Sequence, residues 1–393
     1  MPDISRTTVG IVGGGPAGLM LAHLLDKAGI DSVVVEIRTR AEIENTHRAG
    51  ILEQDSVRLL VESDVSDRVL RDGYRHEGIE LGFGGELHRI DFADLIGAAV
   101  QLYPQTDVFI DLADARERDG GDVRFGVSDV AVLDVESDSP GITFTDAGGE
   151  QQEVRCRHLV GADGSRSICR QAFPESTRRQ FSREYPFAWF GILCEAPPSA
   201  PELIYNHSES GFALISQRTD TLQRMYFQCA PDEDVDDWSD ARIWEELQTR
   251  LGANGAVLKE GPITSKTVLP FRSFVQEPMR HGRLLLAGDA AHTVPPTGAK
   301  GLNLALADVK VLAEELERAI SKDDDAPLES YTARALGRVW KTQHFSYWMT
   351  TMLHRLPDAS PFDVRRQIGE LAMLTSSRAG STYLAEAYTG WPS

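Results

Sequence analysis

Cysteine is sparse in this sequence of 393 residues, which contains only four. They are Cys156, Cys169, Cys194 and Cys229, and no two of them form a C-x-x-C pair. This spacing supports neither a zinc site nor a disulfide framework. We therefore expect no bound metal, and we interpret the four cysteines as small apolar residues of the protein interior.

Long hydrophobic runs and an excess of positive charge are also missing. No apolar run approaches the roughly 20 residues that a membrane span needs, and no basic segment followed by an apolar one opens the sequence. The 40 Lys and Arg residues are outnumbered by 60 Asp and Glu residues, which gives a formal net charge of -20. These features argue against nucleic acid or an anionic membrane as a partner, and we expect a cytoplasmic protein.

A nucleotide-binding pattern begins near the start of the sequence. Residues 8–12 are typical of a short strand, and they lead into Gly13, Gly15 and Gly18, after which apolar residues recur at helical spacing. Such glycines permit a tight turn that brings a pyrophosphate to the start of a helix. The next strand ends at Glu36, where an acid accepts a hydrogen bond from an adenosine ribose. The pattern predicts a dinucleotide site, and the alternative is a glycine-rich turn without a ligand.

A second stretch, residues 288–303, indicates that the chain returns to the same ligand. It reads G-D-A-A-H-T-V-P-P-T-G-A-K-G-L-N and leads into a helix with one apolar face. A dehydrogenase with a single nucleotide site has no use for such a stretch. FAD does, because its ribitol and ring system extend well beyond its ADP half. The two stretches together therefore predict FAD as the cofactor.

The order of the predicted elements indicates a mixed α/β fold class. We expect a Rossmann-like FAD-binding domain, a substrate domain with a mostly antiparallel sheet, and C-terminal helices. The length exceeds what a single hydrophobic core usually supports, so we expect either two domains or one domain with large insertions. The predicted extents are 1–75, 97–180 and 268–350 for a discontinuous FAD-binding domain, 76–96 and 181–267 for the substrate domain, and 351–393 for a helical segment that forms the interface of a homodimer.

Three blocks occur in the order typical of class A flavoprotein aromatic hydroxylases. They are the G-x-G-x-x-G turn with its acid, the D-G-x-x-S-x-x-R block at 163–170, and Gly288-Asp289. Further segments, such as R-D-G-Y-R-H-E-G at 71–78 and G-F-A-L-I-S-Q-R at 211–218, extend the likeness over essentially the whole chain. The sequence resembles the branch of this family that hydroxylates 4-hydroxybenzoate.

The resemblance implies FAD contacts on both sides of the cofactor. In addition to the glycine turn and its acid, the implied contacts are Asp289 at the ribitol, Gly298, Leu302 and Asn303 at the isoalloxazine, and Arg48 and Gln105 on the other side. The N–H groups after Lys300 are expected to stabilise negative charge on the reduced ring. Arg224 resembles an arginine that helps to govern movement of the flavin.

The same resemblance implies a pocket that grips a carboxylate at one end. Arg218 is expected to bind it through two parallel charge-assisted hydrogen bonds, with help from Ser216 and Tyr226. Pro296 and Thr297 are expected to border the substrate, with Pro296 beside the reacting edge of the flavin. Taken alone, Arg218 would be read as a surface or ion-paired arginine.

At the other end of the pocket, the resemblance implies a group of proton-carrying side chains. Tyr205 is expected to meet the phenol, Tyr388 to stand behind it, and His76 to be the outlet to solvent. Such a chain can remove the phenol proton and so raise the electron density of the ring. Without the resemblance, both tyrosines would be read as packed aromatic residues whose hydroxyls find partners.

The implied reaction converts 4-hydroxybenzoate to 3,4-dihydroxybenzoate with O2 and NADH or NADPH, through a flavin C4a-hydroperoxide. No second complete nucleotide fingerprint is present, so the nicotinamide is expected to bind transiently in a surface groove. The implied residues of that groove are Arg48, Arg166 and Arg272. After the acid of the first site, Glu42 and Glu44 would repel a 2′-phosphate, although Arg38 and Arg40 act in the opposite sense; the balance favours NADH or dual use.

Several alternatives stay open at this level. The chain would fit a hydroxylase of another phenolic acid, and a flavin halogenase or an isoprenoid reductase shares the expected fold. No W-x-W-x-I-P-like block follows the first domain, which argues against a halogenase. From a different class, a catalytically silent FAD-binding sensor would carry the same cofactor motifs.

Overall fold

The structure is a computed structural model that describes residues 3–46 and 50–391. Its helices are α1 (Pro16–Lys27), α2 (Arg40–Glu44), α3 (Gln54–Glu62), α4 (Arg68–Arg71), α5 (Phe92–Ile96), α6 (Gln105–Arg118), α7 (Asp240–Gly252), α8 (Gly301–Lys322), α9 (Tyr331–Leu353), α10 (Pro361–Ser376) and α11 (Arg378–Thr389). Short 3-10 turns lie at Cys169–Ala172, Val235–Asp237, Gly288–Ala290, Pro296–Gly298 and Ala326–Ser330. The mixed α/β class is confirmed.

The strands are β1 (Asp3–Arg6), β2 (Val9–Val12), β3 (Ser32–Glu36), β4 (Ile51–Leu52), β5 (Tyr74–His76), β6 (Gly78–Phe83), β7 (Glu86–Asp91), β8 (Val100–Leu102), β9 (Asp122–Phe125), β10 (Ser128–Leu133), β11 (Gly141–Thr145), β12 (Gln151–Arg155), β13 (His158–Gly161), β14 (Arg179–Cys194), β15 (Ile204–Ser208), β16 (Gly211–Thr219), β17 (Leu222–Cys229), β18 (Ile263–Glu277), β19 (Arg280–His281), β20 (Leu284–Leu286) and β21 (His292–Thr293).

A six-stranded sheet forms the frame of the nucleotide-binding part. Its strand order is β19-β20-β13-β2-β3-β9, and all of its pairs are parallel except β19 with β20. The central strands are continuous apolar runs, as expected for strands with both faces covered. Because parallel strands end at one edge, the loops after β2, β3, β13 and β20 meet there. That edge places the three sequence blocks side by side.

A mixed eight-stranded sheet forms the second layer, in the order β21-β18-β14-β17-β16-β15-β6-β7. Alternation along its strands gives it two different faces. One face packs against α7 in an apolar cluster that includes Ile204, Ile215 and Leu247. The other face carries Tyr205, Leu214 and other large side chains, and it packs under the C-terminal helices.

Two smaller sheets complete the β structure. One has the order β1-β12-β11-β10, and the other, β4-β8-β5, joins the segment that begins at Ile51 to the strand that ends at His76. Gly50 lies where a Cβ atom would stand 2.0 Å from the carbonyl oxygen of Tyr103. Only glycine allows this close approach.

Side-chain amides hold the end of α9 in place. Gln228 of β17 donates from Nε2 to the carbonyl of Arg355 at 2.6 Å, which joins the eight-stranded sheet to the segment after α9. Gln367 of α10 donates to the carbonyls of Thr351 and His354 at 2.8 Å each, which joins α10 to α9. The predicted domain boundaries stay a prediction.

Within residues 3–46 and 50–391, no helix combines the length and the apolar character that crossing a membrane requires. In the same ranges, no group of three or more His, Cys, Asp or Glu side chains is arranged to hold a metal ion. Cys156, Cys169 and Cys194 are buried, and Cys229 is half-buried.

Candidate active site

The turn between β2 and α1 requires glycine at two of its three motif positions. Gly13 has φ +106, and a Cβ atom there would stand 2.3 Å from the carbonyl oxygen of Ala162. A Cβ atom on Gly18 would stand 1.9 Å from the carbonyl oxygen of Gly13. Gly15 is different, because no atom of the described residues beyond its chain neighbours lies within 4 Å of the position of its Cβ. Its lack of a side chain therefore leaves space that the described part of the chain does not fill.

The start of α1 offers hydrogen-bond donors. Gly15 caps the helix without a side-chain hydrogen bond, and the first turn contains no acidic residue. The N-terminal N–H groups of such a helix, together with its dipole, favour a phosphate group. Beside the turn, the carboxylate of Glu36 accepts from the backbone N–H of Gly14 at 2.8 Å and of Arg38 at 3.0 Å. The acid is thereby held at the end of β3, 6% exposed.

A cleft of about 720 Å³ opens at this edge of the sheet. Of the FAD contacts expected from the sequence, those that line it are Gly13, Gly15, Glu36, Gln105, Asp289 and Leu302. Arg166, expected in the nicotinamide groove, lines it too. The cleft unites an uncapped helix start, a carboxylate at a strand end and space next to Gly15. These features fit a dinucleotide such as FAD.

The middle sequence block holds two parts of the cleft together. Asp163 accepts from the hydroxyl of Ser167 at 2.6 Å and from the N–H of Ile168 at 2.7 Å, which closes the block into a turn. Arg170 donates to the carbonyl of Ser165 at 2.7 Å and to that of Ala290 at 3.0 Å. It thus joins the second block to the third. The motif located Arg170, but nothing in the sequence indicated this bridge.

Two arginines expected to bind the nicotinamide flank the same turn. Arg166 follows Ser165 directly and is exposed, and Arg272 donates from Nη2 to the carbonyl of Ser165 at 3.0 Å. The structure therefore brings these two side chains to one surface. The third residue of the expected groove, Arg48, lies outside the described residues, so its expected contact with FAD stays a prediction as well.

The loop that carries Asp289 is anchored from α8. Asp308 accepts from the backbone N–H of Gly288 at 3.0 Å and forms a buried ion pair with His292 at 2.5 Å. Burial alone would lower the pKa of His292, but the Asp308 carboxylate outweighs it and raises the pKa above 6.5. The paired groups fix a turn in which Gly288 has φ +61.

The start of α8 is fixed by a buried network that sequence reasoning did not predict. Lys300 donates from Nζ to the carboxylate of Glu53 at 2.6 Å and to the carbonyl of Tyr388 at 2.8 Å. Arg338 binds the other oxygen of Glu53 at 3.0 Å. The N-terminus of α8 has neither a side-chain cap nor an acidic residue in its first turn, so its N–H groups stay directed at the site.

Asn303 and Gly298 reinforce this region from inside the protein. Asn303 accepts from the N–H of Glu53 at 2.9 Å and donates to the carbonyl of Ile51 at 2.8 Å, so its side chain binds the opposite segment. Gly298 is buried, and a Cβ atom there would stand 3.0 Å from the ring of Phe345. Their expected contacts with the isoalloxazine stay a prediction.

The side chains expected at the carboxylate end lie on neighbouring strands of the eight-stranded sheet. Ser216 of β16 is paired in register with Arg224 of β17, and Leu214 is paired with both Tyr205 and Tyr226. Residues in register share a face, as do residues two apart along a strand. The sheet therefore gathers these side chains on its aromatic face. Arg224 lies over the ring of Tyr226, 5.3 Å from its centre.

Arg218 is a buried cation that forms no ion pair with any of the described residues. The residue is 7% exposed, and neither Nη1 nor Nη2 has a hydrogen-bond partner among the described residues. Burial lowers the pKa of Arg218 to about 10, and Tyr226 offsets part of that change. The guanidinium is still protonated at neutral pH. Two unsatisfied donors on a buried cation indicate a site for an anionic group.

The tyrosines expected at the other end are brought together. The hydroxyls of Tyr205 and Tyr388 form a hydrogen bond of 2.8 Å, and the two residues are 1% and 2% exposed. Burial raises the pKa of both hydroxyls, although their mutual hydrogen bond acts in opposite directions on the two. Because Lys300 binds the backbone of Tyr388, this pair is tied to the start of α8.

Thr297 and Pro296 lie between the two halves of the site. Thr297 is fully buried and accepts from the hydroxyl of Thr350 at 2.9 Å, whereas Pro296 is half-buried in the 3-10 turn. The turn ends at Ala299 in the left-handed conformation, with φ 52. This arrangement attaches the loop to α9.

His76 is the residue that the structure separates from its expected surroundings. Its ring is 1% exposed, so it does not reach solvent directly as an outlet would. Nε2 lies 3.5 Å from the side-chain nitrogen of Gln217, and Nδ1 has no partner among the described residues. Burial lowers its pKa below 6.5. No hydrogen bond connects it to Tyr388 in the part of the chain that the structure describes.

Substitutions at Gly18 and Gly15 separate folding from cofactor binding. Gly18→Ala is expected to lower the melting temperature of the cofactor-free protein, since its Cβ overlaps a carbonyl oxygen. Gly15→Ala is expected to leave that temperature nearly unchanged but to weaken FAD binding at least tenfold, because the new methyl group enters the space for a pyrophosphate. Thermal melts and FAD titrations measure both effects. Unchanged FAD affinity in Gly15→Ala would contradict this assignment of the cleft.

Comparison with known proteins agrees with this geometry. A family model described as an FAD binding domain matches residues 6–346. Among curated relatives, p-hydroxybenzoate hydroxylase of Acinetobacter baylyi is 43% identical over 389 residues, which are 98% of this chain and 96% of that protein. A probable NADH-specific resorcinol 4-hydroxylase of Rhodococcus jostii is 28% identical over 345 residues, covering 83% of this chain and 61% of that protein.

Solved structures share the fold. The crystal structure of p-nitrophenol 4-monooxygenase from Pseudomonas putida DLL-E4 matches with a TM-score of 0.82 and 20% identity over 100% of both chains. Aklavinone-11 hydroxylase, solved with FAD and aklavinone, matches with a TM-score of 0.75 and 23% identity over 90% of this chain and 70% of that one. At these identities the likeness concerns the fold alone. With the family model spanning most of its length and a relative at 43% identity, this chain belongs to the FAD-dependent aromatic hydroxylases and is a flavin monooxygenase.

Proposed function

We propose that this enzyme hydroxylates 4-hydroxybenzoate next to its hydroxyl group, giving 3,4-dihydroxybenzoate. The observation that carries the proposal is the buried guanidinium of Arg218, whose Nη1 and Nη2 lack partners among the described residues. A carboxylate supplies two acceptor oxygens with the spacing that a guanidinium requires. The relative from Acinetobacter baylyi is named for p-hydroxybenzoate, which has this group.

The carboxylate end of the pocket favours an anion over a neutral group. Arg218 lies on a sheet face with large apolar side chains such as Leu214 and Tyr226, both about 5% exposed. Such surroundings exclude water, so an unpaired charge there costs free energy that a bound carboxylate recovers. A benzoate with a hydroxyl at position 4 presents its two polar groups at opposite ends of the ring.

At the phenol end, Tyr205 and Tyr388 provide a path for a proton. Their raised pKa values keep both hydroxyls protonated at neutral pH, so each can accept one proton while it passes another on. Removal of the phenol proton increases electron density at the ring carbon next to it. Burial lowers the pKa of His76, so its ring is neutral at pH 7, but among the described residues no hydrogen bond connects it to the tyrosine pair.

The cleft at the sheet edge would hold FAD by the α1 start, Glu36 and Asp289. Bound FAD, once reduced, activates O2 for transfer of one oxygen atom to an aromatic ring. Pro296 and Thr297 are expected to border the substrate and to keep water away from the reacting atoms. The uncapped start of α8 lines the cleft with Gly301 and Leu302. Lys300 keeps that helix start fixed relative to Tyr388.

Variants at the two ends of the pocket are expected to have different effects. Arg218→Ala removes the anion partner and should raise the Kd for 4-hydroxybenzoate by roughly two to three orders of magnitude. Arg218→Lys keeps the charge but loses the paired donors, so its Kd for 4-hydroxybenzoate should lie between those of the unaltered protein and Arg218→Ala. Tyr205→Phe should leave Kd within about threefold but reduce the hydroxylation rate roughly 10²-fold or more. Substrate titrations of the FAD-loaded protein measure Kd, and single-turnover product analysis measures the hydroxylation rate. If each variant changed Kd and rate equally, the separate roles given to Arg218 and Tyr205 would be contradicted.

We further propose that the enzyme uses NADH, or NADH and NADPH alike, as the electron donor. The basic side chains after β3 are already engaged by carboxylates. Arg40 pairs with Glu44 at 2.7 Å, with Glu117 at 2.9 Å and also with Asp114. A 2′-phosphate would have to compete with these groups and with the carboxylates themselves. The bridge of Arg272 to Ser165 supports a reductant site at this surface.

The coenzyme proposal predicts that kcat/KM with NADH equals or exceeds that with NADPH. Release of Arg40 by the double change Asp114→Asn and Glu117→Gln should shift the ratio toward NADPH by several-fold, since a cation becomes available to the phosphate. Asp122→Asn, which removes a partner of Arg124 in β9, is the matched control. A much larger kcat/KM with NADPH in the unaltered protein would overturn the proposal.

The oligomeric state is proposed to be a homodimer that uses α10. Phe362 and Met373 lie on one side of this helix, 74% and 73% exposed, and Gly369 and Ala372 on the same side are exposed too. Arg366 is exposed between them, and a helix side with large exposed apolar side chains beside an arginine is a candidate interface. Sedimentation velocity of the unaltered protein should give the mass of two chains. The double variant Phe362→Glu and Met373→Glu should give the mass of one chain. A monomeric mass of the unaltered protein would contradict this.

A further inference from the structure

The last turn of α9 ends in a histidine that uses both ring nitrogens. Trp189 donates from Nε1 to Nε2 of His354 at 2.6 Å, and Nδ1 of His354 lies 2.8 Å from the carbonyl oxygen of Thr350. Indole N–H can only donate and a carbonyl can only accept, so the ring proton must be on Nδ1. One neutral tautomer satisfies both bonds. His354 is fully buried.

The surroundings of this ring keep it neutral and immobile. Its ring is stacked on Phe187, with centres 4.6 Å apart and planes 5° from parallel, and it lies 4.4 Å from Phe212. Burial lowers the pKa of His354 to about 3. The group therefore stays an acceptor for Trp189 at any pH at which the protein works. It is not a proton carrier.

Trp189 connects this histidine to the carboxylate end of the pocket. The indole is 2% exposed, and its ring centre lies 4.7 Å from that of Tyr226. A Cβ atom on Gly191, the register partner of Tyr226, would stand 2.8 Å from the tyrosine ring, so the ring packs directly against this glycine. Tyr226 and Arg218 belong to the same face of the sheet, because Leu214, the register partner of Tyr226, precedes Arg218 by four residues on β16. Both residues are buried, at 5% and 7% exposure.

The same turn of α9 also reaches the loop beside the cofactor cleft. Thr350, whose carbonyl binds His354, donates from its hydroxyl to Thr297 at 2.9 Å. The last turn of α9 thus has two contacts. His354 packs against an aromatic wall formed by Phe187, Trp189 and Phe212, and Thr350 binds the Pro296–Gly298 turn. Both contacts are buried, and neither residue belongs to a motif of the sequence.

We infer that His354 is a positioning residue for substrate binding: its Nε2 holds the indole of Trp189, which fixes Tyr226 and so directs the unpaired nitrogens of Arg218 at the carboxylate. The inference rests on the proposed function, because it assumes that Arg218 binds a carboxylate. His354 itself touches neither the carboxylate nor the reacting ring. Its removal is expected to weaken recognition of the carboxylate rather than the chemical step.

The test compares His354→Leu with His207→Leu as a matched control. His207 is also a buried histidine, 5% exposed, and its Nδ1 binds the carbonyl of Leu353, but it makes no hydrogen bond to Trp189. Each FAD-loaded variant is titrated with 4-hydroxybenzoate and with 4-hydroxybenzamide, which has the same shape without the charge. The ratio of the two Kd values measures recognition of the carboxylate.

His354→Leu should reduce this ratio about tenfold, the scale of one lost hydrogen bond. The single-turnover hydroxylation rate at saturating substrate should change less than about threefold, and the tryptophan emission should shift because Nε1 of Trp189 loses its acceptor. His207→Leu should lower the melting temperature without changing the ratio. An unchanged ratio in His354→Leu, or an equal loss in His207→Leu, would overturn the inference.

Trp189→Phe provides a second route if His354→Leu does not fold. It keeps an aromatic ring but removes the donor, so it should reduce the ratio to a similar extent. Where both variants fold, the double variant should reduce the ratio of the two Kd values no further than the more severe single variant does. The reason is that both substitutions remove the same hydrogen bond. Fully additive losses would contradict the inference.

The unaltered protein separates this inference from the proposed function. If it binds 4-hydroxybenzoate no better than 4-hydroxybenzamide, the carboxylate site fails and the proposed function fails with it. If it prefers the carboxylate strongly but His354→Leu keeps that preference, only the role of His354 is refuted.

Discussion

A guanidinium group buried in an aromatic interior needs an anion, and the sheet around Arg218 supplies none. Removing such a charge from water costs several kcal/mol unless hydrogen bonds and an opposite charge compensate for it. Elsewhere the chain solves the same problem internally: the buried amino group of Lys300 has both the carboxylate of Glu53 and the carbonyl of Tyr388. Lys300 therefore has a structural role, whereas the proposed role of Arg218 in ligand binding follows from its unpaired nitrogens. We propose that the substrate carboxylate completes the second pair, and a site of this kind is expected to discriminate against neutral phenols.

The two halves of the site are joined by a few long-range bonds. Lys300 connects the start of α8, which borders the cofactor cleft, to Tyr388 of the tyrosine pair. Thr350 connects the loop of Thr297 to α9, and through His354 to the aromatic wall behind Arg218. A shift of the loop that contains Thr297 would therefore be transmitted toward both Arg218 and Tyr388, the proposed contacts at the two ends of the substrate. This arrangement suits a reaction in which oxygen transfer must await a correctly held ring.

Prediction from the sequence succeeded where a local pattern determines geometry. The turn of Gly13 and Gly18, and the acid Glu36 at the end of the next strand, follow from the packing of one βαβ unit, and the structure places them at one cleft. Tyr205 and Arg218 were located only through resemblance to a family, because neither has a local signature. Contacts between distant segments were beyond prediction: Glu53 and Lys300 are 247 residues apart, and Trp189 and His354 are 165 apart. Only the fold brings such partners together, and the burial of His76 likewise depends on strands that are distant in sequence.

The most direct test of the account is product analysis of the FAD-loaded protein with 4-hydroxybenzoate, O2 and each nicotinamide in turn. We expect 4-hydroxybenzoate to accelerate nicotinamide oxidation and 3,4-dihydroxybenzoate to form in an amount nearly equal to the nicotinamide consumed. Nicotinamide oxidation that yields only hydrogen peroxide would contradict it, because the ring would then be held without being hydroxylated. Failure of 4-hydroxybenzoate to bind would contradict it more fundamentally, since the unpaired donors of Arg218 would then serve another ligand.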